Sequence, residues 1–165
     1  MVTPYFLPHL GGVERYVAML SERLAERGGI SVTVLTTDQT AARPRRERTD
    51  RIEVIKVPAW PRGADYLFAP QIYRTVRSGS WDLVHIQSYH TFVAPLAMLG
   101  ALRNHTPYIV TFHAGGHSSA VRRRIRRPQM ALLRPLLARA SRLVALARYE
   151  IELYGAAIGV PPERF

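Results

Sequence analysis

Residues 82–112 read DLVHIQSYHTFVAPLAMLGALRNHTPYIVTF. Asp82 to Gln87 is a compact apolar run of strand length. Phe92 to Arg103 is apolar nearly all round and long enough to be a buried helix. Tyr108 to Phe112 is again short, β-branched and aromatic, hence a strand. The same alternation extends outward on both sides. Upstream, Val13 to Arg27 sets Val13, Val17, Leu20 and Leu24 on one helical face, and Gly28-Gly29 ends it in the usual C-terminal manner. Ser31 to Thr37 and Arg51 to Val57 read as strands, with Asp38 to Asp50 as a polar, arginine-rich surface loop between them. Ala59 to Pro70 reads as an irregular connection and Gln71 to Arg77 as a short helix. Downstream, Pro128 to Arg139 reads as a helix with Pro128 near its first turn and a kink or break at Pro135. Arg142 to Leu146 follows as a strand and Arg148 to Ile158 as a last helix. Strands alternating with helices, several uniformly apolar, imply an α/β fold: a doubly wound parallel sheet of about six strands, Rossmann-like and covered on both faces. The short segment before Pro4 is expected to complete an edge.

In such sheets ligands sit beyond the carboxyl ends of the strands, near the point where strand order reverses. Pro8 to Glu14, Ser88 to Thr91, His113 to Arg127 and Ala147 to Glu150 are therefore the segments in which to look for chemistry.

Composition narrows the classes. The 165 residues suffice for one domain with its own core, 47% are hydrophobic, and mean hydropathy is −0.07. There is no cysteine, which removes disulfides and thiolate metal sites. The longest apolar stretch, Phe92 to Leu102, is too short to span a bilayer. The first residues lack a basic region, and Pro4 and Pro8 interrupt any signal-peptide helix. The chain reads as soluble and cytoplasmic. Its charge is lopsided: Leu83 to Tyr149 holds ten arginines and no acid, all but one unit of the net +11. A GC-rich genome explains arginine in place of lysine, but not the missing acids. A one-sided basic field favours anionic partners.

Gly11-Gly12 directly before a helix leaves backbone N–H groups open at a terminus of partial positive charge, suited to an anion such as a diphosphate. A plain strand-to-helix turn has the same sequence, and a glycine pair alone does not separate the two. His113, at the end of a strand, is a candidate site residue, or a histidine bonded to a backbone carbonyl. His85, inside an apolar strand, reads as a satisfied core residue. Tyr89 and His90 follow the same strand, either towards an acceptor or away from it. The histidines show no His-x-x-x-His pairing on one helix, so no metal site is expected. No Gly-x-Ser-x-Gly elbow occurs, and no acid lies between Asp82 and Glu150 to complete a hydrolase triad. A two-carboxylate glycosidase is equally unsupported, although Glu14 stands beside the glycine loop.

Four segments, in order, carry a family resemblance. Pro4-Tyr5-Phe6-Leu7-Pro8-His9-Leu10-Gly11-Gly12-Val13-Glu14-Arg15-Tyr16-Val17 resembles the opening of glycosyltransferase family 4, retaining enzymes of the GT-B fold. Asp82-Leu83-Val84-His85-Ile86 resembles its central strand. Pro107 to Gly116 resembles its next strand and cleft loop, and Ala140 to Tyr149 the last strand and helix start of its first domain. The resemblance implies that residues 1–165 are the N-terminal, acceptor-side domain of a hexosyltransferase-like enzyme. The whole enzyme would move a sugar from a UDP- or GDP-linked donor to a hydroxyl acceptor, glycan or lipid-linked, with no cofactor. It implies His113 at the transferred sugar as the catalytic residue and Gly11 and Gly12 at the donor diphosphate; Glu14, Tyr89, His90 and Arg148, placed after the strands, are candidates for the acceptor side.

The sequence departs from the family in four ways. The first strand reads as clipped. Ala114 stands where glycine or aspartate is usual, and Gln87 where a second histidine is frequent. The C-terminal nucleotide-sugar-binding domain, with its paired glutamates, does not follow within these residues, so the fragment alone is expected to be inactive. The alternative is a non-catalytic module that recognises a phosphorylated glycan or lipid head group.

Arg122-Arg123-Arg124-Ile125-Arg126-Arg127 is the densest charge run. Beside an apolar helix, Arg122, Arg123, Arg124, Arg126 and Arg127 are candidates for contact with an anionic membrane surface, as in a peripheral protein at the inner face of the plasma membrane. A solvated face is the alternative. Nucleic acid is not expected as a partner: no binding motif is present and no aromatic platform lies near the arginines.

Overall fold

The strands show why helices must cover both sides of the sheet. In β1 (Val32–Asp38), Val32 and Val34 face one way and Leu35 the other, and all three are buried. In β3 (Ile52–Pro58), Ile52 and Val54 alternate in the same manner with Ile55 and Val57. Val32, Val34, Ile52 and Val54 form one core with Val17 of α1 (Gly12–Glu26). Leu35, Ile55 and Val57 join a larger core with Ile72 and Val76 of α2 (Pro70–Ser78) on the opposite face. The computed structural model describes residues 1–49, 51–63, 67–113 and 120–165, the side chains of 120–127 excepted.

β1 and β3 pair in parallel, as do β4 (Val84–Gln87), β5 (Tyr108–Thr111) and β6 (Arg142–Val144). Residues 1–3 join the two sets. Val2 bridges Leu35 on one side and Ile86 on the other, both in the parallel sense. Its N–H donates to His85 O at 2.7 Å, and its carbonyl accepts from Gln87 N at 2.8 Å. The segment expected at an edge is therefore the middle of the sheet, with Val2 3% and Thr3 0% exposed. The chain winds outward to β1 and β3, then returns to β4, β5 and β6. The reversal point lies beside Val2, between β1 and β4. The fold is doubly wound α/β, as the sequence implied.

Two further corrections concern the loop and the long helix. Arg45–Arg48, inside the expected loop, is a strand, β2, antiparallel to β3. All four of its side chains are exposed, and it is held laterally: Arg46 reaches Glu53 at 2.9 Å and Glu47 reaches Lys56 at 2.9 Å. Helix α4 (Ala120–Leu137) begins two turns before Pro128, which lies in its interior, and it runs unbroken past Pro135. Met130, Leu133 and Leu137 form its buried stripe, and Leu132 is exposed. Met130 and Leu133 therefore belong to the core and are not free to enter a bilayer. The side chains of Arg122, Arg123, Arg124, Arg126 and Arg127 lie outside the described residues. Among the described residues no helix is long and apolar enough to cross a membrane.

α3 (Val93–Arg103) packs against α2, and α5 (Arg148–Ile158) against α4. Gly28, just past α1, takes a φ of 73°, the left-handed turn the glycine pair predicts.

Candidate functional site

The strand ends on either side of Val2 supply the candidate residues. Pro4 to Gly11 leads from the central segment into α1, Ser88 to Phe92 leads from β4 into α3, and His113 follows β5. Ser88 carries a φ of 66° while 8% exposed, a left-handed turn for a non-glycine residue at the end of β4. Its N–H donates to Thr111 O at 3.0 Å, which keeps the turn pinned to β5.

His113 is half-buried. Its Nε2 lies 2.8 Å from Gln87 Oε1, and its ring meets Tyr16 of α1 edge-on, with centroids 5.3 Å apart. Tyr16 stands one helical turn beyond Gly12, so this contact brings the glycine-led end of α1 to the side of His113. Burial holds the His113 imidazole below its usual pKa, and the carboxylate of Glu150 opposes that by raising it. His85, as expected, is a satisfied strand histidine: its Nε2 is 2.7 Å from Thr111 Oγ1, and burial lowers its pKa to about 4.

The glycine loop divides in two. A Cβ built on Gly11 would lie 2.3 Å from Glu14 Oε2, because the Glu14 carboxylate folds back over the N-terminus of its own helix. Gly11 is thus needed for Glu14, whereas a Cβ on Gly12 would meet nothing within 4 Å. The open approach to the main chain expected of both glycines belongs to Gly12. A cavity of about 340 Å³ adjoins this turn, lined by Tyr5, His9, Leu10, Gly11, Glu14, Gln39 and Gly63. A larger groove of about 480 Å³ between α1 and the β2–β3 pair contains none of the candidate residues and lies away from His113. The smaller cavity is the one at the strand ends, where a doubly wound sheet places its ligands.

Gly11→Ala should push the Glu14 carboxylate aside, since only the end of that flexible, half-buried side chain stands in the way, and cost on the order of 0.5–1 kcal/mol. Adding Glu14→Ala to it should remove that cost, and Gly12→Ala alone should cost less. Thermal unfolding of Gly11→Ala, Glu14→Ala, the double variant and Gly12→Ala measures the coupling; additive losses would mean that Glu14 does not occupy the space over Gly11.

The remaining candidates separate. His90 is half-buried, with Nε2 3.4 Å from the His113 carbonyl, and stays at the rim. Tyr89 turns inward: it is 0% exposed, its hydroxyl is 3.3 Å from that of Tyr154, and it meets Phe112 edge-on. Its side chain belongs to the core and not to an acceptor surface. Arg148 is exposed in the first turn of α5, where its charge adds to the positive helix terminus. Two residues not proposed from sequence also belong here. Gln87 is fully buried beside His113. Glu150, 2% exposed, accepts the Leu146 N–H at 2.7 Å and faces His113 electrostatically. The end of the acid-free run was the available signal for Glu150. Among the described residues no group of three or more potential metal ligands gathers at one point.

The family model described as the glycosyl transferase 4-like domain matches residues 11–165. No curated protein matches the chain.

Proposed function

The chain belongs to the glycosyl transferase 4-like domain family, and from that premise we propose that it is the acceptor-side half of a retaining glycosyltransferase of GT-B architecture. The whole enzyme takes its sugar from a UDP- or GDP-linked donor and passes it to a hydroxyl acceptor. The observation that carries the reading is the edge-on contact of Tyr16 with His113 at 5.3 Å, which brings the glycine-led end of α1 to the side of the histidine.

The parts fit distinct tasks. The open backbone at Gly12 and the positive terminus of α1 suit the charge that collects on a departing diphosphate. Glu14, over Gly11, suits hydroxyl groups rather than phosphate, since a carboxylate repels an anion and accepts hydrogen bonds from alcohols. Acceptor hydroxyls therefore belong in the cavity shared by Tyr5, His9, Glu14 and Gln39. To His113, at the end of β5 and against Tyr16 of α1, this reading assigns the transferred sugar. Its depressed pKa keeps the ring neutral near pH 7, able to donate from one nitrogen and accept at the other.

A panel of UDP- and GDP-sugars offered to the full-length protein tests the reading. Transfer with retained anomeric configuration is expected from the full-length protein, and none from residues 1–165 alone, because the nucleotide is held chiefly by the second domain. Turnover by residues 1–165, or transfer with inversion, overturns the proposal.

A further inference from the structure

We propose that Gln87 is a positioning residue for His113, holding its imidazole in the tautomer with the proton on Nε2 and leaving Nδ1 as the ring's acceptor. The argument begins with register. Gln87 pairs with Thr111 across β4 and β5. His113, two residues further along, falls on the same face as Thr111, one step beyond the end of the ladder. The 2.8 Å contact between His113 Nε2 and Gln87 Oε1 follows from that placement. An amide oxygen only accepts, so the proton of the contact belongs to Nε2. A neutral imidazole protonated there keeps its lone pair on Nδ1.

The cost of this arrangement argues that the oxygen matters. Gln87 is 0% exposed, and its Nε2 has no hydrogen-bond partner among the described residues. Leaving a buried donor unmet costs stability, which methionine of similar volume would avoid. What glutamine has and methionine lacks is the acceptor for His113.

Among the described residues the groups around the ring are few. Glu150 of α5 raises its pKa and burial lowers it. His85 of β4 is engaged with Thr111 Oγ1. His90 approaches the His113 carbonyl, and Tyr16 of α1 meets the ring edge-on. None of these contacts supplies an acceptor to Nε2, so the tautomer is Gln87's to set. The consequence for catalysis rests on the transferase reading above, whereas the tautomer itself does not.

Two-bond proton–nitrogen spectra of the ¹⁵N-labelled chain at neutral pH test the proposal. The wild-type ring is expected to show a protonated Nε2 and a bare Nδ1. Gln87→Met should convert that pattern to a mixture. Gln87→Glu, of the same shape, should keep Nε2 protonated and raise the His113 titration midpoint by about one unit, tenfold in proton affinity. A proton on Nδ1 in the wild type would mean that the amide presents its NH₂ group, and overturns the proposal. So does an unchanged pattern in Gln87→Met, or an unmoved midpoint in Gln87→Glu. Should the methionine variant fail to fold, the glutamate variant still decides. In the full-length enzyme, the pH–rate profile of Gln87→Glu should move with that midpoint at unchanged donor KM. A confirmed tautomer with an unmoved profile would remove Gln87 from catalysis while leaving the transferase reading intact.

Discussion

Alanine at His113 should lower turnover of the full-length enzyme at least tenfold, the effect of losing about 1.4 kcal/mol of transition-state stabilisation. The side chain sits where the starts of α1 and the loops after β4 and β5 meet, with Tyr16 against its ring and Gln87 on its Nε2. His90, the other imidazole nearby, approaches only the His113 carbonyl. The loss should fall mainly on kcat, because a group at the transferred sugar acts most strongly once charge develops there. Some stability goes as well: removing the ring leaves Gln87 Oε1 without its partner, on the order of 1–3 kcal/mol. Rates should therefore be compared at a temperature where circular dichroism shows both proteins folded. Wild-type turnover under those conditions would remove His113 from the site.

The adjacent residue should behave in the opposite way. Phe112→Ala is expected to cost about 3–5 kcal/mol of folding stability, the range for deleting a buried aromatic side chain. Phe112 is 0% exposed, stacked on Tyr154 with centroids 4.2 Å apart and edge-on to Tyr89 at 5.6 Å. Against the roughly 5–15 kcal/mol that holds an ordinary domain together, the loss is about a fifth or more. Phe112→Leu, closer in volume, should lose clearly less. Urea unfolding of the chain measures both. A midpoint for Phe112→Ala equal to the wild type would show that the aromatic cluster contributes nothing to the core. Alternation beyond the end of β5 is what separates the two residues: one side chain goes into the sheet's packing and the next into the crevice.

Periodicity made most elements readable because burial leaves a mark on composition. Most of the apolar run of α3 is buried, although Phe92 and Leu99 are exposed; the alternating valines and isoleucines of β1 and β3 are buried, and α5 spans Arg148–Ile158 as read. What escaped has specific causes. β2 has no apolar side chain at all, so no pattern distinguishes it from a loop. The central position of Val2 depends on pairing with Leu35 and Ile86, far away in sequence, which no local window contains. The early start of α4 was hidden by Pro128, whose missing N–H argues for a helix start when neighbouring contacts are out of view. At the site, His113 was legible from its place after a strand, but its dependence on Gln87 was not. Glutamine carries no charge and no motif, and only the parallel register of β4 with β5 brings the two together. Tyr89 misled because a residue after a strand can turn to either side, and the aromatic cluster around Phe112 and Tyr154 drew it inward.

The all-charged β2 also decides how the molecule meets its own kind. Among the described residues no strand pairs with the outer side of β2, an edge that a second chain's strand could extend, the usual route to ribbon-like aggregation. Arg45, Arg46 and Arg48 make that rim cationic, with Glu47 the one acid in the strand. Two such rims brought side by side would set like charges against one another before any ladder could form. A sheet whose strand ends stay open to solvent is thereby guarded along its flank by charge, where the described residues place no covering helix.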